Sequence, residues 1–142
     1  MKRLVLGLLA TLLVAAGLVS ASSTPASAAC PYTNCIQTSL NSEGPRVIRQ
    51  GKKATIKVGV RAAGNVYPTG TVRFTVYKKG QRGSIFQRTK NVSPAERYVS
   101  RTRFTTPRLS PGTYTIRMRY TPTAGSVFKV STNKRTLTVR RR

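Results

Sequence analysis

The stretch from Leu109 to Tyr120 constrains the fold more than any other part of the chain. It reads Leu-Ser-Pro-Gly-Thr-Tyr-Thr-Ile-Arg-Met-Arg-Tyr. Pro111 fixes one φ and Gly112 supplies the positive φ that a type II turn requires, so the segment opens on a turn. Strict alternation follows. Tyr114, Ile116, Met118 and Tyr120 point to one face, and Thr113, Thr115, Arg117 and Arg119 to the other. An apolar face opposite a charged one describes a strand with one side on a core and the other in water. Such a strand needs further strands beside and opposite it to be stable.

The rest of the chain supplies them. From Lys53 to Ala62, Ala54, Ile56, Val58, Val60 and Ala62 alternate with Lys53, Thr55, Lys57, Gly59 and Arg61. Thr71 to Tyr77 sets Val72, Phe74 and Val76 against Arg73 and its neighbours, and Tyr98 to Phe104 and Arg135 to Arg140 repeat the pattern. Val47-Ile48 precedes a turn at Gln50-Gly51. Ser84 to Val92 suits a short edge strand whose Gln87, Arg88 and Lys90 discourage edge-to-edge pairing. Thr121 to Lys134 is expected to be a long connection, with Phe128 tucked onto the domain. No segment beyond the N-terminal apolar run has helical periodicity. The fold class predicted is therefore all-β, a sandwich of about seven antiparallel strands over residues 45–140, followed by a basic tail at 141–142; a small barrel is the competing architecture. The Gly-x-Tyr-x-apolar entry at Gly112 to Ile116 matches the tyrosine corner of immunoglobulin-like β-sandwiches, with Tyr114 as the corner. Val58 and Ile116 then stand where antibody domains carry core cysteines, and Phe74 or Val72 replaces the core tryptophan.

A family resemblance rests on specific residues. Thr69-Gly70-Thr71-Val72-Arg73-Phe74, Phe104-Thr105-Thr106-Pro107, Leu109 to Ile116 with Tyr120, Phe128 and Leu137-Thr138-Val139 resemble the bacterial Ig-like repeat domains of exported and cell-surface proteins. The resemblance implies a spacer, adhesive or carbohydrate-associated module rather than an enzyme. Those domains typically carry an acidic stretch after the tyrosine-corner strand. Here the matching segment, Ala124 to Phe128, has no acid, so no cation site is carried over.

Residues 1–28 read as a signal peptide. Lys2 and Arg3 precede an apolar run from Leu4 to Val19, and Ala26-Ser27-Ala28 is an Ala-x-Ala-like cleavage site. The run is short for a span of about 20 residues, so no membrane span is expected after signal removal. Ser27-Ala28-Ala29-Cys30 also offers a loose lipobox, against which count Ser27, where an aliphatic residue is usual, and the distance of Cys30 from the apolar run. Residues 29–44 are expected to be a flexible arm, with Ile36 to Gly44 a polar linker or a frayed first strand. In an exported chain its two cysteines, Cys30 and Cys35, suggest a disulfide, whose short loop shapes the arm more than it stabilises the domain.

The composition argues against catalysis. Histidine is absent, and the only acids are Glu43 and Glu96, in separate segments. General acid–base chemistry at neutral pH most often rests on His or a tuned carboxylate, and neither is offered by these residues. Ser131-Thr132-Asn133-Lys134 matches Ser-x-x-Lys but lacks the companion elements and the helix that chemistry requires. No metal, cofactor or nucleotide site is predicted.

Charge is the remaining signal. Lys and Arg total 26 against two acids, a formal net charge of +24. Such a chain is attracted to polyanions. Sandwich topology is expected to put Lys53, Lys57, Arg61, Arg101 and Arg103 on one outer face, and Arg73, Arg117 and Arg119 on the other. The expected function is that of a secreted, extracellular, non-catalytic module. It would associate with the cell wall and bind anionic cell-envelope polymers or nucleic acid by diffuse electrostatics. The alternative is a structural spacer, assembly or adhesion subunit with no polyanion specificity, for which a protein partner would be the means of retention.

Overall fold

The computed structural model describes residues 35–141; the expected signal peptide, Cys30 and Arg142 lie outside the described residues. Nine strands are present among the described residues: β1 Thr38–Glu43, β2 Val47–Arg49, β3 Thr55–Ala62, β4 Gly70–Lys78, β5 Phe86–Asn91, β6 Ser93–Pro94, β7 Val99–Thr105, β8 Gly112–Pro122 and β9 Ser131–Arg140. They form two sheets, ordered β1-β3-β7-β6 and β2-β9-β8-β4-β5. Every pairing is antiparallel except β2 with β9. This is an immunoglobulin-like β-sandwich, with nine strands rather than about seven.

Period-two alternation accounts for most of it. In β3 the burial pattern alternates strictly at Ile56, Val58 and Val60, all fully buried. β8 does the same at Tyr114, Ile116, Met118 and Tyr120. Between the sheets Phe74 of β4 stacks on Phe104 of β7, ring centroids 4.7 Å apart and 12° from parallel. This pair fills the place a core tryptophan would take, and Val72 lies beside it, also buried.

The corner at Tyr114 forms as the sequence predicts. The Tyr114 hydroxyl donates to the Ser110 carbonyl at 2.6 Å and lies 3.0 Å from the Ser110 hydroxyl. Gly112 has φ +143°, which is extended positive-φ backbone rather than the region near +80° of a type II turn; only glycine enters it easily. Replacing Tyr114 by phenylalanine is expected to cost about 0.5–1.5 kcal/mol, one net hydrogen bond, read as a lower urea midpoint at unchanged slope. No change in midpoint would mean the corner bond contributes nothing. A second tyrosine ties β8 to the other end of the sandwich. Tyr120 donates to the Thr69 carbonyl at 2.6 Å, and burial pushes its hydroxyl up to about 12.

Two further expectations are corrected. Residues 38–43, expected in a flexible arm, form β1 and pair along the whole register with β3, from Thr38↔Ala62 to Glu43↔Lys57. Leu40 is the one buried apolar residue of this strand, so its sequence carries almost no hydrophobic pattern. Ile36 is also fixed, bonded through its backbone to Val127 and Lys129. Beyond Glu43 the chain switches sheets at Gly44, whose missing Cβ would lie 2.8 Å from the Thr55 carbonyl oxygen, and enters β2. Second, residues 131–134 belong to β9 and not to a loop. The edge strand expected within residues 84–92 is present as β5, at the edge of its sheet beside β4; Val92 is buried where the chain then crosses, and the additional short strand β6 pairs with β7 on the other sheet.

Of the two cysteines, Cys35 is among the described residues and is not a free thiol.

Candidate functional site

All eight basic residues singled out in the sequence are exposed. Register divides them between the sheets. Lys57, Arg61, Arg101 and Arg103 project from β3 and β7, with Lys57 directly opposite Arg103. Lys53 lies just before β3 rather than within it. Glu43 of β1 stands opposite Lys57 and supplies the one acid of that face's strands.

The other sheet differs. Arg73 of β4 is directly opposite Arg119 of β8, and Arg117 of β8 is directly opposite Lys134 of β9. Two adjacent rows result, Thr89–Arg73–Arg119–Thr132 and Gln87–Thr75–Arg117–Lys134. No acid occurs in β2, β4, β5, β8 or β9. Like charges directly opposite destabilise a sheet pair, and nothing within these strands neutralises them. Thr75 is buried although it points outward, beneath the long side chains of its row. The guanidinium of Arg117 lies 5.2 Å from the Tyr77 ring centroid, a cation–π contact that fixes its position on the sheet. Between the rows lies an open depression of about 610 Å³ lined by Arg73, Arg117, Arg119 and Lys134, with Thr75, Tyr77 and Thr132.

Lys134 is the member that sequence reasoning missed. The inner positions of early β9 are Ser131, Asn133 and Arg135, which hide the strand from a hydrophobic pattern. Its outer positions, Thr132, Lys134, Thr136 and Thr138, carry the period-two signal that would have found it. Tyr77 is partly exposed on the outer side of β4, against the Arg117 guanidinium. Tyr67 and Tyr98 are exposed as well and pack on each other at one end of the sandwich, centroids 5.4 Å apart.

A second concavity lies at the side of the sandwich, where β1 and β9 meet. The inward polar residues of β9 reach across to β1. Asn133 donates its amide to the Leu40 carbonyl, Thr38 and Ser131 join hydroxyls at 2.9 Å, and Arg135 Nη2 donates to the carbonyls of Gly44 at 2.7 Å and Pro45 at 3.3 Å. These bonds cap the free edge of β1, so the polar inner face of β9 has a structural use.

No family model matches the chain, and no curated protein matches it. Among solved structures it is similar to the CARDB domain of a Pyrococcus furiosus protein, crystallised in complex with di-metal ions. That match has a TM-score of 0.51 and 18% identity, over 76% of this chain and 96% of that one. A likeness at that identity concerns the fold alone. The chain is also similar to a superoxide reductase from Ignicoccus hospitalis, with TM-score 0.46 and 10% identity, over 72% of this chain and 80% of that one. A β-glucosidase from Erythrobacter marinus aligns with TM-score 0.48 and 11% identity, over 74% of this chain and 16% of that one. These two carry no argument about this chain. Among the described residues no three His, Cys, Asp or Glu side chains cluster as metal ligands.

Proposed function

We propose that this chain is a non-catalytic Ig-like module of an exported protein, of the kind found as repeats in bacterial surface proteins. In this reading it binds anionic cell-envelope polymers or nucleic acid through the outer face of the β2-β9-β8-β4-β5 sheet. One observation carries the reading: Arg73 faces Arg119 and Arg117 faces Lys134, in register, with no acid on any strand of that sheet. Direct like-charge pairs cost about 0.2–1 kcal/mol each and gain nothing for folding; a polyanion lying across the rows neutralises them. The opposite face is basic too, but Glu43 sits within it and offsets part of its field. A signal peptide at residues 1–28, cleavage after Ala28 and a Cys30–Cys35 disulfide belong to the same proposal and agree with an extracellular, wall-associated location.

The test is retention of the protein on purified cell wall, teichoic acid, neutral glycan and duplex DNA over a salt series. Retention on the three anionic supports, falling steeply with salt and absent from the neutral glycan, is the expected result. Retention on none of them near physiological ionic strength, where the Debye length is about 8 Å, would return the chain to the spacer or assembly reading.

A further inference from the structure

Most of the charge outside the two sheet faces is gathered at one end of the sandwich. There β3 and β8 begin and β4, β7 and β9 finish, as the pairs Thr55↔Thr105, Lys78↔Tyr114 and Gly112↔Val139 show. Arg49 ends β2, and Lys52 and Lys53 follow it in the connection to β3; Lys53, grouped by sequence with the β3 face, belongs to this end. The β4–β5 turn adds Lys79 and Arg82, the β7–β8 connection Arg108, and the end of β9 Arg140 and Arg141. All of them are exposed, and no acid occurs at residues 49–54, 78–85, 106–112 or 140–141. The opposite end, residues 35–37, 63–69, 92–98 and 123–130, carries Arg97, Lys129 and the acid Glu96. One end is thus strongly positive and the other nearly neutral.

Backbone bonds tie the connections of this end to one another. The Gln50 N–H donates to the Arg140 carbonyl at 2.8 Å, that of Lys79 to the Thr113 carbonyl at 2.9 Å and that of Thr106 to the Ala54 carbonyl at 2.9 Å. The cations therefore stand on a fixed base. Clustered without an acid they repel one another, and folding gains nothing from them. A chain polymer finds no ready channel here, since the depressions at the sheet face and at the side of the sandwich are lined by other residues. A plane, in contrast, meets several of these turns at once. Ile85 adds an independent signal. Its N–H donates to the Val76 carbonyl at 2.9 Å, which places it at the rim of this end, three residues after Arg82, and its side chain is 42% exposed. A soluble polyanion has no use for an exposed isoleucine beside cations, whereas a lipid headgroup layer attracts the cations and buries the apolar side chain. The contrast between the two ends also orients the molecule in the field of a charged surface.

We propose that this end of the sandwich docks on an anionic phospholipid surface, with the Lys and Arg side chains of its turns at the headgroup phosphates and Ile85 in the interface. The strands run from one end to the other, so a molecule docked in this way holds its sheet face off the membrane and free for a polymer. The chain has no tryptophan, so a single introduced one reports its own surroundings. Ile85→Trp and, in a second protein, Val66→Trp at the opposite end are mixed with phosphatidylcholine vesicles, plain or with about 30% phosphatidylglycerol, at about 0.1 M salt. Emission from position 85 is expected to shift to the blue, and to be quenched by brominated lipid, with the anionic vesicles alone; emission from position 66 should not shift. Sedimentation with the same vesicles measures partitioning. Each cation close to such a surface is worth about fivefold, so changing Lys52, Lys53, Lys79 and Arg82 together to glutamine should weaken it by at least about a hundredfold. Changing Arg73, Arg117, Arg119 and Lys134 to threonine should weaken it by less than about tenfold, because that face stands away from the lipid. The glutamine variant should still be retained on teichoic acid, which separates the two surfaces and shows the variant to be folded. No binding to the anionic vesicles, equal losses in the two variants, or equal shifts at positions 85 and 66 would overturn membrane docking by this end and leave polymer retention on the sheet face untouched. Loss of teichoic acid retention in the glutamine variant, with its unfolding midpoint unchanged, would also overturn it by making this end part of the polymer site.

Discussion

Replacing Phe74 by alanine is expected to remove about 3–5 kcal/mol of folding stability, about a fifth or more of what a domain of this kind commonly has. Phe74 and Phe104 are both fully buried and come from opposite sheets, so their 4.7 Å stack joins the two layers directly. Phe86 adds an edge-on contact to Phe74, centroids 6.3 Å apart at 76°. At the open side Lys90 donates to the Arg103 carbonyl at 2.8 Å, with its ammonium 5.8 Å from the Phe104 ring. Two hydrogen-bonded sheets cannot collapse into the space one ring leaves, so the cavity term adds in full to the lost transfer energy. Guanidinium unfolding would register this as a large drop in midpoint with the slope unchanged. A loss below about 1 kcal/mol would mean that the pair does not join the sheets as described.

The second large effect separates binding from stability. Changing Arg73, Arg117, Arg119 and Lys134 together to threonine should raise folding stability by about 0.4–2 kcal/mol, from two like-charge pairs relieved at about 0.2–1 kcal/mol each. Threonine suits the exposed face of a strand, and Thr75, Thr115, Thr132 and Thr136 already surround these positions. Loss of the Arg117–Tyr77 contact offsets about 0.5–1 kcal/mol of that gain, so the net change lies between about −0.6 and +1.5 kcal/mol. The same variant should lose most of its retention on teichoic acid or duplex DNA at moderate salt. A protein that keeps its stability and loses its binding is what a charge cluster kept for a ligand produces. A destabilised variant that still binds would reverse the assignment.

The sequence shows the frame of the fold because its inner strands are buried on one side only. Ile56, Val58 and Val60, or Tyr114, Ile116 and Met118, cannot slip by one residue without turning the whole set to water. That logic fails at the sandwich's side. β1 buries only Leu40 of its six residues, and early β9 turns Ser131, Asn133 and Arg135 inward to cap it. A strand whose inner face bonds another strand's carbonyls has no hydrophobic period to read. Lys134 and the β1–β9 groove were hidden for this reason, whereas Arg73, Arg117 and Arg119 were legible from the alternation of β4 and β8. The change of sheet between β5 and β6 was hidden by its brevity, since it turns on the one buried residue Val92.

The claim that one sheet face holds the polymer is tested most directly by the slope of log affinity against log salt for duplex DNA. The slope is compared among the unaltered protein, the Arg73, Arg117, Arg119 and Lys134 variant, and a variant with Lys57, Arg61, Arg101 and Arg103 neutralised. Each phosphate contact contributes about 0.9 to the slope, so the first variant should lose about 3 to 4 units and the second less than half of that. An equal loss in both variants, or an unchanged slope in the first, would contradict a binding face on this sheet.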